Sequence, residues 1–263
     1  MKKTIFTVVL LVLVAGTFWA QSESDFQVQQ NADNILTITG YMGSRMDVVI
    51  PSTLYGLRVT AIGERAFYNK KLTSVVIPNT VVTIMDGAFN QYDNGILTEV
   101  IIPDSVTTIG HWAFQKCGIT RLSLGTGVRV ISSAAFASNK ITELTIPANV
   151  REVWGNAFNN NQIKSLTIMN GVTRVGIFAF AGNLIETLVI PASLAASGID
   201  SGAFNLGSSF VRITVPANMN DSYLRGSGIS GDIGLEQGFI NFYKSQNKAA
   251  GTYVKNGPIW TRQ

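Results

Sequence analysis

The sequence is built on a repeat, and that one feature excludes most architectures open to a chain of this length. The hexapeptide Ile62-Gly63-Glu64-Arg65-Ala66-Phe67 returns as Ile109-Gly110-His111-Trp112-Ala113-Phe114, and looser copies end at Phe89, Phe136, Phe158, Phe180 and Phe204. Successive phenylalanines stand 22, 25, 22, 22, 22 and 24 residues apart. A second landmark keeps the same period. The stretch Ile141-Thr142-Glu143-Leu144-Thr145-Ile146-Pro147 is matched by Leu72 to Pro78, Leu97 to Pro103 and Ile185 to Pro191. The copies Ile119 to Gly125 and Ile163 to Met169 keep the apolar spacing and lose the proline. A unit this short cannot bury its own apolar face, so units must stack on one another into a solenoid.

Each unit reads as one coil. Apolar residues two apart share one face of a short strand, and proline ends the strand because it has no amide hydrogen to donate. A turn leads to a second apolar pair, such as Val106 and Ile109 or Val150 and Val153. Alanine then permits close approach, and phenylalanine fills the interior. Stacking predicts an internal column of Val75, Val100, Leu122, Leu144, Leu166 and Leu188, and a second column running from Phe67 to Phe204. Extra residues fall between landmarks, at Thr53 to Leu57 and Gln91 to Gly95.

The ends depart from the repeat and read as caps. Residues 26–41 alternate around Asn31-Ala32-Asp33-Asn34, which predicts a hairpin over the first edge. Residues 235–246 predict a short helix, and residues 251–262 a hairpin turning at Asn256-Gly257. The expected organisation is a signal peptide over 1–20, an N-terminal cap over 21–45, repeats over 46–216 and a C-terminal cap over 217–263. The fold class is a solenoid of short parallel strands and turns.

Lys2 and Lys3 followed by the apolar run Ile5 to Ala15 have the pattern of an export signal, with a run too short to span a bilayer. Cleavage is expected after Ala20, or near Ala15 or Gly16. No later stretch is apolar enough for a membrane helix, so a secreted, periplasmic or surface-held protein is expected, with no transmembrane segment after signal removal. Cys117 is the one cysteine and cannot form an internal disulfide, so stability must come from burial. At 46% hydrophobic and 14% charged residues the chain can build a large core and does not resemble a disordered one. The net charge of +4 falls to +2 once Lys2 and Lys3 are set aside. That is too little to argue for nucleic acid.

These landmarks resemble the BspA-like leucine-rich repeat family, the treponemal type. Its pattern is a strand, Ile-Pro, Ile-Gly-x-x-Ala-Phe, and then a closing Cys or Asn; Cys117, Asn139, Asn161 and Asn183 stand three residues after their phenylalanines. The resemblance covers residues 46–216. It implies a leucine-rich-repeat solenoid with a parallel sheet on a concave face, and an exported bacterial protein used in adhesion to host matrix proteins, host cells or other bacteria. It implies no catalytic residues. Gly125 and Met169 at proline positions, and Lys70 at the Asn/Cys position, depart from the pattern and should loosen their turns.

Alternation identifies the outward row of the sheet as the first candidate surface. One column is Asp47, Ser74, Glu99, Arg121, Glu143, Ser165, Thr187 and Arg212. The other is Val49, Val76, Ile101, Ser123, Thr145, Thr167, Val189 and Thr214. The binding candidates are the members of both columns from Ser74 to Val189. Eight strands about 4.8 Å apart give a face of roughly 600 Å², short of the roughly 800 Å² a standard interface takes from each partner. The competing explanation is strand preference for Thr and Val. A second candidate is the set of corner residues Trp112, Trp154, Ile177 and Phe178, which either anchor a partner or pack under loops. Arg129, Arg151 and Arg174 shift position between coils and read as solvated surface.

Cys117 and the asparagines read as buried ladder residues, the asparagines bonding turn backbone. His111, the only histidine, lacks the company a metal site or a nucleophile needs and is expected at an exposed corner. No cofactor, metal or catalytic set is expected, and the chain is not read as an enzyme. The leading function is protein–protein contact or adhesion, with a host extracellular-matrix or cell-surface protein as partner. The alternatives are a glycan-binding module, with Trp112 and Trp154 as stacking platforms, and a structural envelope protein without a soluble ligand.

Overall fold

The structure, a computed structural model, describes residues 21–194, 198–200, 202–204, 211–218, 237–256 and 259–263. The predicted signal peptide therefore lies outside the described residues, as does Gly257 of the predicted C-terminal turn. The chain winds as a solenoid, and each coil carries three regular features: a front strand, a shorter back strand and an Ala-Phe corner.

The front strands are Asp47–Val49, Ser74–Val76, Glu99–Ile101, Arg121–Ser123, Glu143–Ile146, Ser165–Ile168, Thr187–Val189 and Arg212–Val215. The expected internal column holds: Val100, Leu144, Leu166 and Leu188 are buried between them, while Val75 and Leu122 are only partly covered. The apolar pairs that the sequence placed after a turn make a second parallel ladder. It runs through Leu57–Ile62, Thr83–Ile84, Thr108–Ile109, Val130–Ile131, Glu152–Val153 and Arg174–Val175, in a register that stacks Ile62, Ile84, Ile109, Ile131, Val153 and Val175. Two residues per coil suffice, because coil-to-coil hydrogen bonds are the only means by which so short a segment can pair its buried backbone groups.

The corner repeats a single bond. The phenylalanine amide donates to the alanine carbonyl of the next coil, as in Phe114 to Ala135 at 2.7 Å and Phe136 to Ala157 at 2.8 Å. The rings behind these bonds stack from Phe67 to Phe204 with centroids 4.8 to 5.7 Å apart and planes within 9° of parallel. Tyr41 and Phe26 continue the column into the N-terminal cap.

Both caps pair as the sequence implies. Phe26–Gln30 and Ile35–Tyr41 form the expected antiparallel hairpin, and Ile35–Tyr41 extends the back sheet by pairing with Leu57–Ile62. The front edge is closed by one side chain instead: the Gln21 amide oxygen accepts the Val49 amide at 2.8 Å. At the other end Gly251–Asn256 and Ile259–Arg262 add two antiparallel strands to Arg212–Val215. The helix Gln237–Ser245 seats Phe239 and Tyr243 against Tyr253, with Trp260 beside Phe239.

The asparagine ladder is the polar counterpart of the phenylalanine column. Asn139 accepts the amides of Gly118 and Ile119 and donates to the carbonyls of Phe114 and Phe136. Asn161 and Asn183 repeat the pattern one and two coils on. The buried thiol of Cys117 donates to the Phe89 carbonyl. Where Tyr92 holds the ladder position and lies exposed, Gln91 beside it is buried and bonds the Lys71 amide and the Phe89 carbonyl in its place. The turns that depart from the pattern at Gly125 and Met169 still contact the preceding coil. Met169 supplies an amide, which proline lacks, to the Ile146 carbonyl. A Cβ on Gly125 would lie 2.3 Å from the Pro103 carbonyl oxygen, so the two coils are in close contact there.

Candidate functional site: the front face and the corner cluster

The structure places the predicted outward row on one face. Ser74, Val76, Glu99, Ile101, Arg121, Ser123, Glu143, Thr145 and Ser165 are exposed, and Thr167, Thr187 and Val189 are half-exposed. The apolar members cluster at one end, where Val49, Val76 and Ile101 lie more than half open to solvent. The eight strands do not form one continuous surface, as the even spacing implied. They fall into a pair, a second pair and a group of four front strands continued by the C-terminal hairpin, with no ladder between these groups among the described residues.

Local contacts reinforce the second pair. The extra residues Gln91 to Gly95 fold onto the following coil, where the Gly95 and Leu97 amides bond the Lys116 and Cys117 carbonyls. Gly95 and Gly118 meet backbone to backbone: a Cβ on either would fall within 2.4 Å of the other coil's carbonyl oxygen. Gly125 makes the same kind of approach to Pro103, and the Asp104 carboxylate accepts the Thr126 amide at 2.7 Å. That bond holds the Asp104 carboxyl below its ordinary value. These contacts join the strands Glu99–Ile101 and Arg121–Ser123, and no ladder links either of them to its other neighbour among the described residues.

The second seam is a cleft of about 430 Å³ lined by Glu99, Thr120, Arg121, Leu122, Ser123, Thr142 and Glu143. Four of the predicted row residues therefore share one concavity with a half-buried leucine at its floor. Arg121 reaches across its strand pair to Glu99 at 3.1 Å, and this guanidinium lowers the Glu99 carboxyl from the ordinary glutamate range. Glu143 makes no ion pair among the described residues. Sequence reasoning placed Glu99, Arg121, Ser123 and Glu143 on this face but missed the concavity, since nothing in a 22-residue spacing between Phe114 and Phe136 signals a missing ladder.

The corner candidates separate. Trp112 and Trp154 are 48% and 38% exposed, and His111 lies between them with centroids 5.6 Å from each ring. His111 is therefore half-buried in an aromatic cluster, where an exposed corner was expected. Phe178 turns aside and covers the next coil; a Cβ on Gly202 would lie 2.4 Å from its ring. It does not line the neighbouring cleft of about 370 Å³, where exposed Ile177 joins Trp154. Arg174 pairs with Asp200 at 3.2 Å in that cleft. Arg129 and Arg151 are exposed and donate to nearby turn carbonyls. Among the described residues no group of three or more His, Cys, Asp or Glu side chains converges as metal ligands would, and no helix is long and apolar enough to cross a membrane.

Among solved structures the chain is similar to a leucine-rich cell surface protein from Faecalibacterium prausnitzii A2-165. The identity is 29% and the TM-score 0.61, over 74% of this chain and 54% of that one. The chain thus spans about half the length of that relative. The leucine-rich repeat protein of T. pallidum shares the fold at 23% identity and TM-score 0.50, over 62% of this chain and 88% of that one. No curated protein matches the sequence. The model of the BspA-type leucine-rich repeat region matches six copies across residues 60–184 and 129–225. These copies cover more than half of the sequence and coincide with the coils described above, so the chain belongs to the BspA-type leucine-rich repeat family.

Proposed function

We propose that the chain is an exported repeat protein that holds another protein against its front face, with a host matrix or cell-surface protein as the partner. The observation that carries this reading is the cleft between Arg121–Ser123 and Glu143–Ile146. A flat row of short strands falls below the area of a standard interface, whereas a concavity with an apolar floor encloses a side chain on several sides, where anchor residues bind best. The seam also leaves two strand edges facing each other without a ladder. Such edges bind extended segments through main-chain hydrogen bonds, and flanking side chains supply selectivity. The charges of Glu99, Arg121 and Glu143 would fix the register of a segment seated there.

Family membership supports a role in protein contact, and the cell surface protein of F. prausnitzii is consistent with a surface location. The charged and apolar pattern of residues 1–20 supports export. The test is retention of purified matrix and host cell-surface proteins on the immobilised chain. Replacing Glu99, Arg121 and Glu143 together by alanine should abolish retention, while thermal stability changes little because exposed substitutions cost within about 0.5 kcal/mol each. Undiminished retention by a stably folded triple variant refutes the front-face reading.

A further inference from the structure

The corner cleft carries chemistry that the front face lacks. Its wall is the exposed indole of Trp154, continued by His111 and Trp112. The small Ser132 and Ser133 of the intervening coil let rings two coils apart approach. The indole nitrogen donates to a Glu152 carboxylate oxygen at 2.9 Å, so the ring is held in one orientation and its polar edge is already engaged. Opposite, Asp200 accepts from Arg174 at 3.2 Å. Each carboxylate keeps a further oxygen as acceptor, and the guanidinium keeps further N–H donors.

We propose that this cleft is a saccharide subsite, which takes a neutral pyranose with its apolar C–H face on Trp154 and its hydroxyls on Glu152, Arg174 and Asp200. Hydroxyls donate and accept at once, and the rim offers both partners side by side. A lysine or arginine side chain would find the two carboxylates but would meet Arg174, and it could offer that guanidinium no acceptor. An acidic sugar would face two carboxylates against one guanidinium. An all-equatorial ring, as in the gluco and N-acetylglucosamino configurations, offers axial C–H groups to the indole and equatorial hydroxyls to the rim. The volume of about 370 Å³ is at the small end for ligand clefts, enough for a short oligosaccharide.

This site does not depend on the front-face reading, and its test has a different readout. Cellotriose and triacetylchitotriose are titrated into the full chain, followed by tryptophan fluorescence and saturation-transfer NMR; trigalacturonate and trilysine serve as acidic and cationic counter-probes. Saturable binding of at least one neutral trisaccharide is expected. The expected loss of affinity is tenfold or more in Trp154→Ala and severalfold in Arg174→Ala, with none in Glu143→Ala on the front face. Should Trp154→Ala fail to fold, Arg174→Ala and Glu152→Gln answer the same question at exposed or half-exposed positions. Absence of saturable binding to both neutral sugars overturns the proposal, as does binding unaffected by the corner variants or a preference for trilysine or trigalacturonate.

Discussion

At the residue scale the least visible demand of the fold is a left-handed backbone at one or two places in each coil. The position two before each Ala-Phe phenylalanine has positive φ at Arg65, Gly87, Trp112, Ala134, Asn156, Phe178 and Gly202. The position two after it does so at Asn69, Lys116, Ser138, Asn160 and Gly182. An L-residue there costs roughly 1–2 kcal/mol, and stacking leaves no alternative, because these residues turn the corner that puts phenylalanine inside. Ser138→Gly should therefore stabilise the chain by about 0.5–1 kcal/mol, the strain relieved less the roughly 0.5–1 kcal/mol of chain entropy that glycine adds. A rise in denaturant midpoint at unchanged slope checks it. The reverse change, Gly182→Ala, should destabilise, since φ is +69° and the new Cβ would meet the Asn160 side chain. Glycine in some copies of each column is a faint trace of the demand. Trp112 and Phe178 in the same column hide it, because aromatic side chains at a corner read as binding candidates first.

At the scale of the element, what the sequence made legible was whatever recurs with the period. The front strands, the phenylalanine column and the asparagine ladder all follow from it. The back sheet was legible only as an apolar pair, because two residues cannot show alternation. Gln91 was hidden because it sits one position early and performs with a longer side chain what asparagine does elsewhere. The ladder has an energetic signature. Asn161→Ala leaves the Ile141 amide unpaired and removes one of two donors from each of the Phe136 and Phe158 carbonyls, which keep Asn139 and Asn183. At about 1–3 kcal/mol for a buried group left unpaired, the loss should reach at least about 1 kcal/mol. Thermal or chemical unfolding of Asn161→Ala beside the exposed control Thr145→Ala measures it, and equal stability of the two would show that the ladder does not hold the coils.

At the scale of the whole molecule, solenoid and caps were foreseeable because a period and its interruption are both sequence properties. The front-face cleft and the corner cleft were not, because each depends on the relative placement of coils. One seam follows an insertion that sequence can register, at Gln91 to Gly95. The other has no counterpart in the spacing, which is 22 residues on either side of Phe136. The two faces consequently differ in mechanical character. Along the back, backbone bonds join every coil from the N-terminal hairpin to Val175 and on to Ile199, whereas the front is interrupted twice. Bending the molecule so that its front widens breaks no strand ladder at the seams, while bending it the other way strains an unbroken one. The amide of Leu122, which faces the second seam, should exchange with solvent faster than those of Leu144 and Leu166, which face the next strand of their ladder, and hydrogen-exchange mass spectrometry can rank them. Coupled to a tethered partner, such a body would act as a one-way spring, yielding towards its cargo and stiff against the pull of whatever lies behind it.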